Sequence, residues 1–437
     1  MLRLPAEVYA ERRRQLLEAL PEGGAMLLPT ANEVVRSNTT HFPFRPNSDF
    51  YYVTGYPEPE AWALLKRDGT GAGFSMFVLP RDRERETWTG LRHGVQGAKD
   101  QFGADEAFKL DDLDRELGRL LEDVDTLYFS FGRHGGKERR LHRILGRVRT
   151  GRKPALGPAT LCDPTELLAP MRLVKSEAEL AVMRRGVEIT TEAHIAAMEQ
   201  VRPGMHEYEI QALLEYTFRK HGAWGWAYPS IVAGGANACI LHYVRNDAAF
   251  GDGELMLIDA GAEVDCYATD VTRCTPTNGR YSPAQREVYE AVLAVQMRAI
   301  ESVKPGFSID DMHEVVLREL TQAMVDLGAL EGDLDELVAA KDYEAYYPHR
   351  TSHWLGADVH DVGRYRKRDG PPLPFEPGMV LTVEPGLYFP PDATACPERL
   401  RGIAVRIEDD VLVTPDGHEV LTREIPKQIA DIEALRR

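Results

Sequence analysis

The sequence predicts a mixed α/β (α+β) protein in two parts: an amino-terminal α/β domain over residues 1–172, and a larger domain over 173–437 built from two related halves. Three observations point there. Short β-like runs alternate with amphipathic helical segments through roughly the first 160 residues. The texture changes near residue 175, where Ser176 and Glu179 have the S-x-x-E spacing of a helix-opening capping box. Finally, Val201-Arg-Pro-Gly-Met205 returns as Val303-Lys-Pro-Gly-Phe307. Each copy lies between two amphipathic helices and is followed by strand-rich sequence.

Along the chain, Glu7–Leu20 reads as an amphipathic helix carrying Leu16, Leu17 and Leu20. The β-like runs after it are Ala25–Leu28, Phe50–Val53, Trp62–Leu65, Phe74–Leu79 and Thr126–Phe129. Helical segments Asp111–Leu121 and Arg139–Val148 interleave with them, and Gly151–Pro158, with two glycines and two prolines, reads as a connection. The helix opened by Ser176 extends to about Gln200 and stops at Pro203-Gly204. A second runs from about His206 to Gly222, a residue suited to a left-handed cap.

Composition bounds the partners. Hydrophobic residues at 43% and charged residues at 28% are globular usage. Acidic residues outnumber basic ones, 69 to 52, for a net charge of −17, a field that repels phosphate backbones and anionic membranes. Neither nucleic acid nor a membrane surface is an expected partner. The five cysteines (Cys162, Cys239, Cys266, Cys274, Cys396) are scattered without a C-x-x-C pair, as in a reducing compartment. No apolar run has the length of a signal peptide core or a membrane span, so the expected setting is the cytoplasm.

The chemistry-bearing residues concentrate in strand-like segments of the second part. Leu255, Leu257 and Asp259 share one face of a strand, Asp270, Thr272 and Cys274 share a face of the next, and Gly261 to Asp265 reads as the turn between them. An antiparallel pair can bring Asp259 and Asp270 side by side, which is costly unless a cation or proton neutralises them. The alternative is that one of them sits at a turn or edge in water. Val380, Thr382 and Glu384 repeat the pattern before Pro385-Gly386. Arg406 and Glu408 share one face of a later run whose other face is Ile403, Val405 and Ile407. Between these lie His349, His353 and His360. His349 and His353 have helical i,i+4 spacing, but Pro348 and Gly356 favour a loop or short strand. His242 follows the glycine-rich turn Gly234-Gly235-Ala-Asn237. Two Asp, two Glu and one His form an oxygen-rich donor set that suits Mn²⁺-like dications, and four carboxylates balance two of them.

The strings IDAGAEVDCYATDVTR, SHWLGADVHDVG, LTVEPGLY and VRIEDD occur in the order of the five-ligand pattern of the pita-bread metallopeptidases, and resemble most the Xaa-Pro aminopeptidase (aminopeptidase P) branch. Phe44-RPNSDFYYVTGYPEPEA, with Thr87-Trp88-Thr89-Gly90, resembles that branch's creatinase-like amino-terminal domain. The resemblance implies a pita-bread catalytic domain with pseudo-two-fold halves and two divalent ions, Mn²⁺ first, with Zn²⁺ or Co²⁺ as alternatives. It assigns Asp259 to one metal, His353 and Glu384 to the other, and Asp270 and Glu408 to both, with a shared hydroxide as nucleophile. It makes Glu384 the proton relay, His242 and His360 donors to substrate and oxyanion, and Arg406 the partner of a ligand carboxylate. His349 would line the proline pocket, and Tyr228 and Tyr388 would join it in substrate binding.

The reaction implied is hydrolysis of the bond between an amino-terminal residue and a following proline, by a homodimer or homotetramer. Trp88 and the Phe44–Tyr56 segment are candidates for assembly. Prolidase, the dipeptidase relative, shares the ligand set and is the alternative. A non-enzymatic pita-bread binding protein is the remote one, set against by the presence of all five ligands. No G-x-S-x-G or H-E-x-x-H occurs, and Gly132-RHGGK is not a phosphate loop, which sets aside serine hydrolases, zincins and P-loop enzymes.

Overall fold

A computed structural model describes residues 2–69, 71–150 and 156–436. Most of the connection expected at Gly151–Pro158 lies outside them. The chain divides into two compact units, Leu4–Met171 and a second formed by Arg172–Arg437 with the first three residues. Among the described residues no helix is long and apolar enough to cross a membrane.

The Leu4–Met171 unit is built on a six-stranded mixed sheet. Its strand order is Glu106–Lys109, Gly71–Val78, Trp62–Asp68, Gly24–Pro29, Thr126–Tyr128, Thr160–Cys162. The central strand Gly24–Pro29 runs antiparallel to Trp62–Asp68 and parallel to Thr126–Tyr128. Successive side chains of a strand face opposite ways, so the central strand feeds two cores. Met26 and Leu28 join Leu16 of the helix Ala6–Ala19 and Leu20 just after it on one side, while Ala25 and Leu27 join Leu113 and Leu117 on the other. One expectation is overturned here. Phe50–Val53 is not a strand but part of the helix Ser48–Thr54. Its aromatic and β-branched run imitates a strand, but Asn47 accepts from the Phe50 N–H at its start and Gly55, left-handed at φ 64°, closes its end. Every residue of this helix is buried, so no polar face remains to reveal a 3.6-residue period.

The second unit repeats one design twice. The helix Glu177–Gln200, opened by a Ser176–Glu179 capping box, pairs with Glu207–Lys220; Pro283–Glu301 and Ile309–Asp326 form the second pair. Each pair precedes a three-stranded antiparallel sheet. The first is Ile231–Gly234, Leu255–Asp259 and Thr272–Pro276; the second is Val380–Val383, Asp409–Thr414 and Gly417–Val420. One continuous apolar core joins residues of both helix–sheet sets, from Ile231 and Leu257 through Val292 and Leu320 to Leu381 and Val411. The mixed α/β class read from the sequence is therefore the observed one.

Candidate active site

Asp259 ends the strand Leu255–Asp259, and its antiparallel partner is Thr272. Asp270 stands two residues before Thr272, and the Ala260 N–H donates to the Val271 carbonyl at 3.0 Å, so the ladder continues past the two aspartates. The chain between them is not the simple turn expected at Gly261–Asp265. Ala262–Val264 pairs with Tyr267–Ala268, and the turn is made by Asp265 and Cys266, both left-handed at φ 49° and 64°. Gly261 is required where this hairpin leaves the sheet, because a Cβ there would fall on the Thr269 carbonyl.

The other half supplies the rest. The loop Thr351–Leu355 runs alongside Val380–Val383: Glu384 N–H donates to Thr351 O at 2.8 Å, Thr382 N–H to His353 O at 3.0 Å, and Leu355 N–H to Val380 O at 3.0 Å. That pairing sets His353 Nε2 3.8 Å from Glu384 Oε1 and 3.3 Å from Asp270 Oδ2. Glu408 lies between the strands Ala404–Arg406 and Asp409–Thr414, and its N–H donates to Thr272 O at 3.1 Å, which ties the two halves together. The run 402–413 is thus two strands, with Glu408 in the gap. Asp270, His353 and Glu408 each offer a ligand atom within 4.8 Å of the others.

Tyr228 joins the first two carboxylates. Its hydroxyl lies 2.6 Å from Asp259 Oδ1 and also contacts Asp270 Oδ1. Arg406 donates from Nη2 to Asp259 Oδ2 at 2.7 Å, from Nε to Thr272 Oγ1 at 3.1 Å, and from Nη1 to Tyr388 OH at 3.0 Å. Thr272 Oγ1 in turn donates to Glu408 Oε2 at 2.7 Å. His349 Nδ1 sits 2.8 Å from the Arg350 carbonyl, an acceptor only, so Nδ1 carries the proton and Nε2 accepts from Tyr388 OH at 2.8 Å. His360 packs edge-on against His353 at 4.4 Å between ring centroids, and His242 lies on the wall of the same cavity of about 790 Å³. All eleven site residues expected from the sequence therefore line or adjoin one cavity within the second unit.

Electrostatics separates their states. Burial, reinforced by neighbouring carboxylates, pushes Glu384 up to about 7 and holds Asp259 and Glu408 above the ordinary carboxylate range. Asp270 goes the other way: burial opposes its charge, but the hydrogen bond and charge of His353 hold it low. His353 feels the same burial, and Asp270 carries it up to about 9. His349 is pushed down to about 3 by burial and by Arg406, so it is neutral at pH 7. Burial and the two aspartates keep the Tyr228 hydroxyl protonated. Four carboxylates converge here around His353, with Arg406 bonded to Asp259. His353 Nδ1 is turned to the Trp354 carbonyl at 3.0 Å, which leaves Nε2 aimed at the carboxylates. That donor set fits divalent cations with oxygen and imidazole ligands.

Among the cavity residues that the sequence did not single out are Asp310, Arg350, Tyr365 and Arg366. Asp310 pairs with both arginines, and Tyr365 stacks on Trp354 at 5.9 Å between centroids. The available signal was the basic run Arg364-Tyr-Arg-Lys-Arg368 in a strongly acidic chain.

Comparison with known proteins agrees with this geometry. Residues 181–415 match metallopeptidase family M24, and residues 9–128 match the aminopeptidase P amino-terminal domain. The chain is 42% identical over 437 residues to the Xaa-Pro aminopeptidase of Escherichia coli, covering 100% of this chain and 98% of that protein. Among solved structures, the aminopeptidase PepP of Pseudomonas aeruginosa superposes with a TM-score of 0.97 at 48% identity, covering 100% of this chain and 98% of that one. Zinc-substituted E. coli aminopeptidase P in complex with product gives 0.96 at 42% identity, covering 99% and 98%. This chain belongs to metallopeptidase family M24, with an amino-terminal domain of the aminopeptidase P kind.

Proposed function

We propose that the chain is a Xaa-Pro aminopeptidase, releasing the first residue of peptides whose second residue is proline, with two divalent ions, Mn²⁺ first. The observation that carries this reading is the convergence of Asp259, Asp270, Glu384 and Glu408 around His353 on one cavity, with too little fixed positive charge to balance them. Asp259 would hold one ion, His353 and Glu384 the other, and Asp270 and Glu408 both. Bound there, the ions would supply an acidified water and polarise the scissile carbonyl.

The remaining roles belong to side chains. Glu384 would take a proton from the attacking water and return it to the departing proline nitrogen. His242 and His360 donate to the substrate carbonyl and to the oxyanion that develops from it. Arg406 fixes Asp259 and, through Tyr388, the neutral His349, whose ring borders the space for proline. Proline lacks an amide N–H, so the site needs a shaped pocket rather than an acceptor at that nitrogen. Tyr228 holds Asp259 and Asp270 at a common hydroxyl.

The same reading places the enzyme in the cytoplasm as a homodimer or homotetramer, supported by five free cysteines and by Trp88, 85% exposed in the amino-terminal unit. The division of labour proposed for the units is an amino-terminal domain over 1–172 for assembly and access, and a catalytic domain over 173–437. A Xaa-Pro-Yaa tripeptide and a Xaa-Pro dipeptide, each with Mn²⁺, Co²⁺ and Zn²⁺ in turn, test the assignment. Release of the first residue from the tripeptide is expected. Cleavage confined to the dipeptide would make it a prolidase, and no cleavage with no metal bound would leave a binding protein.

A further inference from the structure

His242 sits on a segment that ought to be mobile. Residues 235–249 contain only the short 3₁₀ turn Gly235–Cys239, and Ile240 and Val244 on either side of His242 are 55% and 53% exposed. Yet a donor that acts on a developing oxyanion must be held in place before the reaction. The segment is gripped from beneath by one side chain. Glu207, fully buried at the first position of the helix Glu207–Lys220, accepts four hydrogen bonds. Oε1 takes Gly234 N–H at 2.8 Å and Asn237 Nδ2 at 3.0 Å; Oε2 takes Tyr243 OH at 2.8 Å and Ala248 N–H at 2.9 Å. One donor stands just before the segment and three are spaced along it, from Asn237 to Ala248, and Tyr243 is the immediate neighbour of His242. One helical turn on, Gln211 Oε1 accepts from Asn246 Nδ2 at 2.9 Å, while Asn246 Oδ1 accepts from Val232 N–H at 3.0 Å.

We infer that Glu207 is a positioning residue for the reaction: its carboxylate clamps residues 234–248 so that His242 is presented to the substrate at fixed geometry. A carboxylate is the group the place requires. It offers four acceptor sites and no donor, whereas glutamine would turn an NH₂ toward one side of the clamp and leave at least the backbone N–H there, of Gly234 or Ala248, unmatched. The helix N-terminus beneath favours negative charge. This deepens the proposed reaction and rests on the role given there to His242.

The test is a double-mutant cycle on the metal-loaded full chain with a Xaa-Pro-Yaa peptide, together with hydrogen–deuterium exchange of the same proteins. Glu207→Gln should lower kcat by ~10-fold or more, less than the ~10²-fold loss of one oxyanion donor, with KM changed less than kcat. In a His242→Ala background the same substitution should change kcat less than about twofold, because the residue acts through His242. Exchange over 235–249 should quicken while the strand Leu255–Asp259 stays protected. Tyr243→Phe, which removes one of the four donors and keeps the ring, should show the same pattern at smaller size and serves if Glu207→Gln does not fold. Equal losses in both backgrounds, or unchanged kcat with unchanged exchange, would overturn the clamp. A wild-type protein that cleaves no Xaa-Pro-Yaa peptide would sink the proposed function instead, and exchange alone would then decide whether Glu207 holds the segment.

Discussion

Glu408 and Asp409 are adjacent, both fully charged in water and both buried, and the fold treats them oppositely. Glu408 faces Asp259, Asp270 and Glu384, and burial among like charges holds its carboxyl well above the usual range. Asp409 faces the other way, 2.7 Å from Arg273 Nη2 and 2.6 Å from Lys427 Nζ; despite equal burial these cations hold its carboxyl well below that range. Gln296 Nε2 and Thr422 Oγ1 complete the second cluster. One is an ion network balanced within the protein, and the other gathers carboxylates with less positive charge beside them. Burial of charge does not distinguish a functional site from a structural one; the missing counter-charge does.

That contrast can be broken most directly at Glu384. Glu384→Ala should lower turnover of a Xaa-Pro-Yaa peptide by about 10⁴-fold and reduce bound metal, measured by kinetics and elemental analysis. Normal turnover would show that the surplus is not catalytic. On the balanced side, Asp409→Asn leaves the buried Arg273 and the half-buried Lys427 without their anion. It should cost about 3–5 kcal/mol of unfolding free energy in urea, with far less effect on turnover of the molecules that stay folded.

Metal removal probes the surplus through pH. In the metal-free protein Glu384, pushed up to about 7, binds its proton more tightly folded than unfolded. Stability should therefore fall as pH rises from about 4.5 to 7, by up to about 3 kcal/mol. Excess Mn²⁺ should reverse the slope, since binding to the carboxylates opposes protonation; a flat profile in chelator would contradict the assigned charge state. His242→Ala should keep its metal and lose turnover by ~10²-fold. The smallest effect sharpens the comparison most. Glu408→Gln, by removing one of four crowded carboxylates, should raise the stability of the chelated protein by about 1 kcal/mol while weakening metal binding. A loss of stability equal to that of Asp409→Asn would mean that the two clusters are alike.

The helix pairs were legible because their signals are local: Ser176 with Glu179 as a capping box, and Pro-Gly after each long helix. The candidate ligands stood out as acidic residues on otherwise apolar strands, each of which alone could mark a water-facing edge; the family resemblance made them a set. The helix Ser48–Thr54 was not, since burial on all sides erased its period and left only the misleading preference of Phe-Tyr-Tyr-Val for strands. The Asp265-Cys266 turn was hidden too, as neither residue advertises a left-handed conformation the way Asn-Gly does. Glu207 gave no sign at all: at a helix start it reads as an ordinary first-turn acid, and its four donors come from residues 27 to 41 positions away.

From residues alone came the mixed α/β class, the two-part chain, the doubled helix pair and the set of acidic and imidazole groups. Those depend on side-chain chemistry and on spacings within one element. Which carboxylate meets a cation within the chain and which is left without one was settled by the tertiary structure, because strand register and the joining of two distant halves at Glu408 and Thr272 decide what each charge faces. Coulomb energy in a buried setting depends on a few ångströms of separation, and no pattern along the sequence encodes that distance.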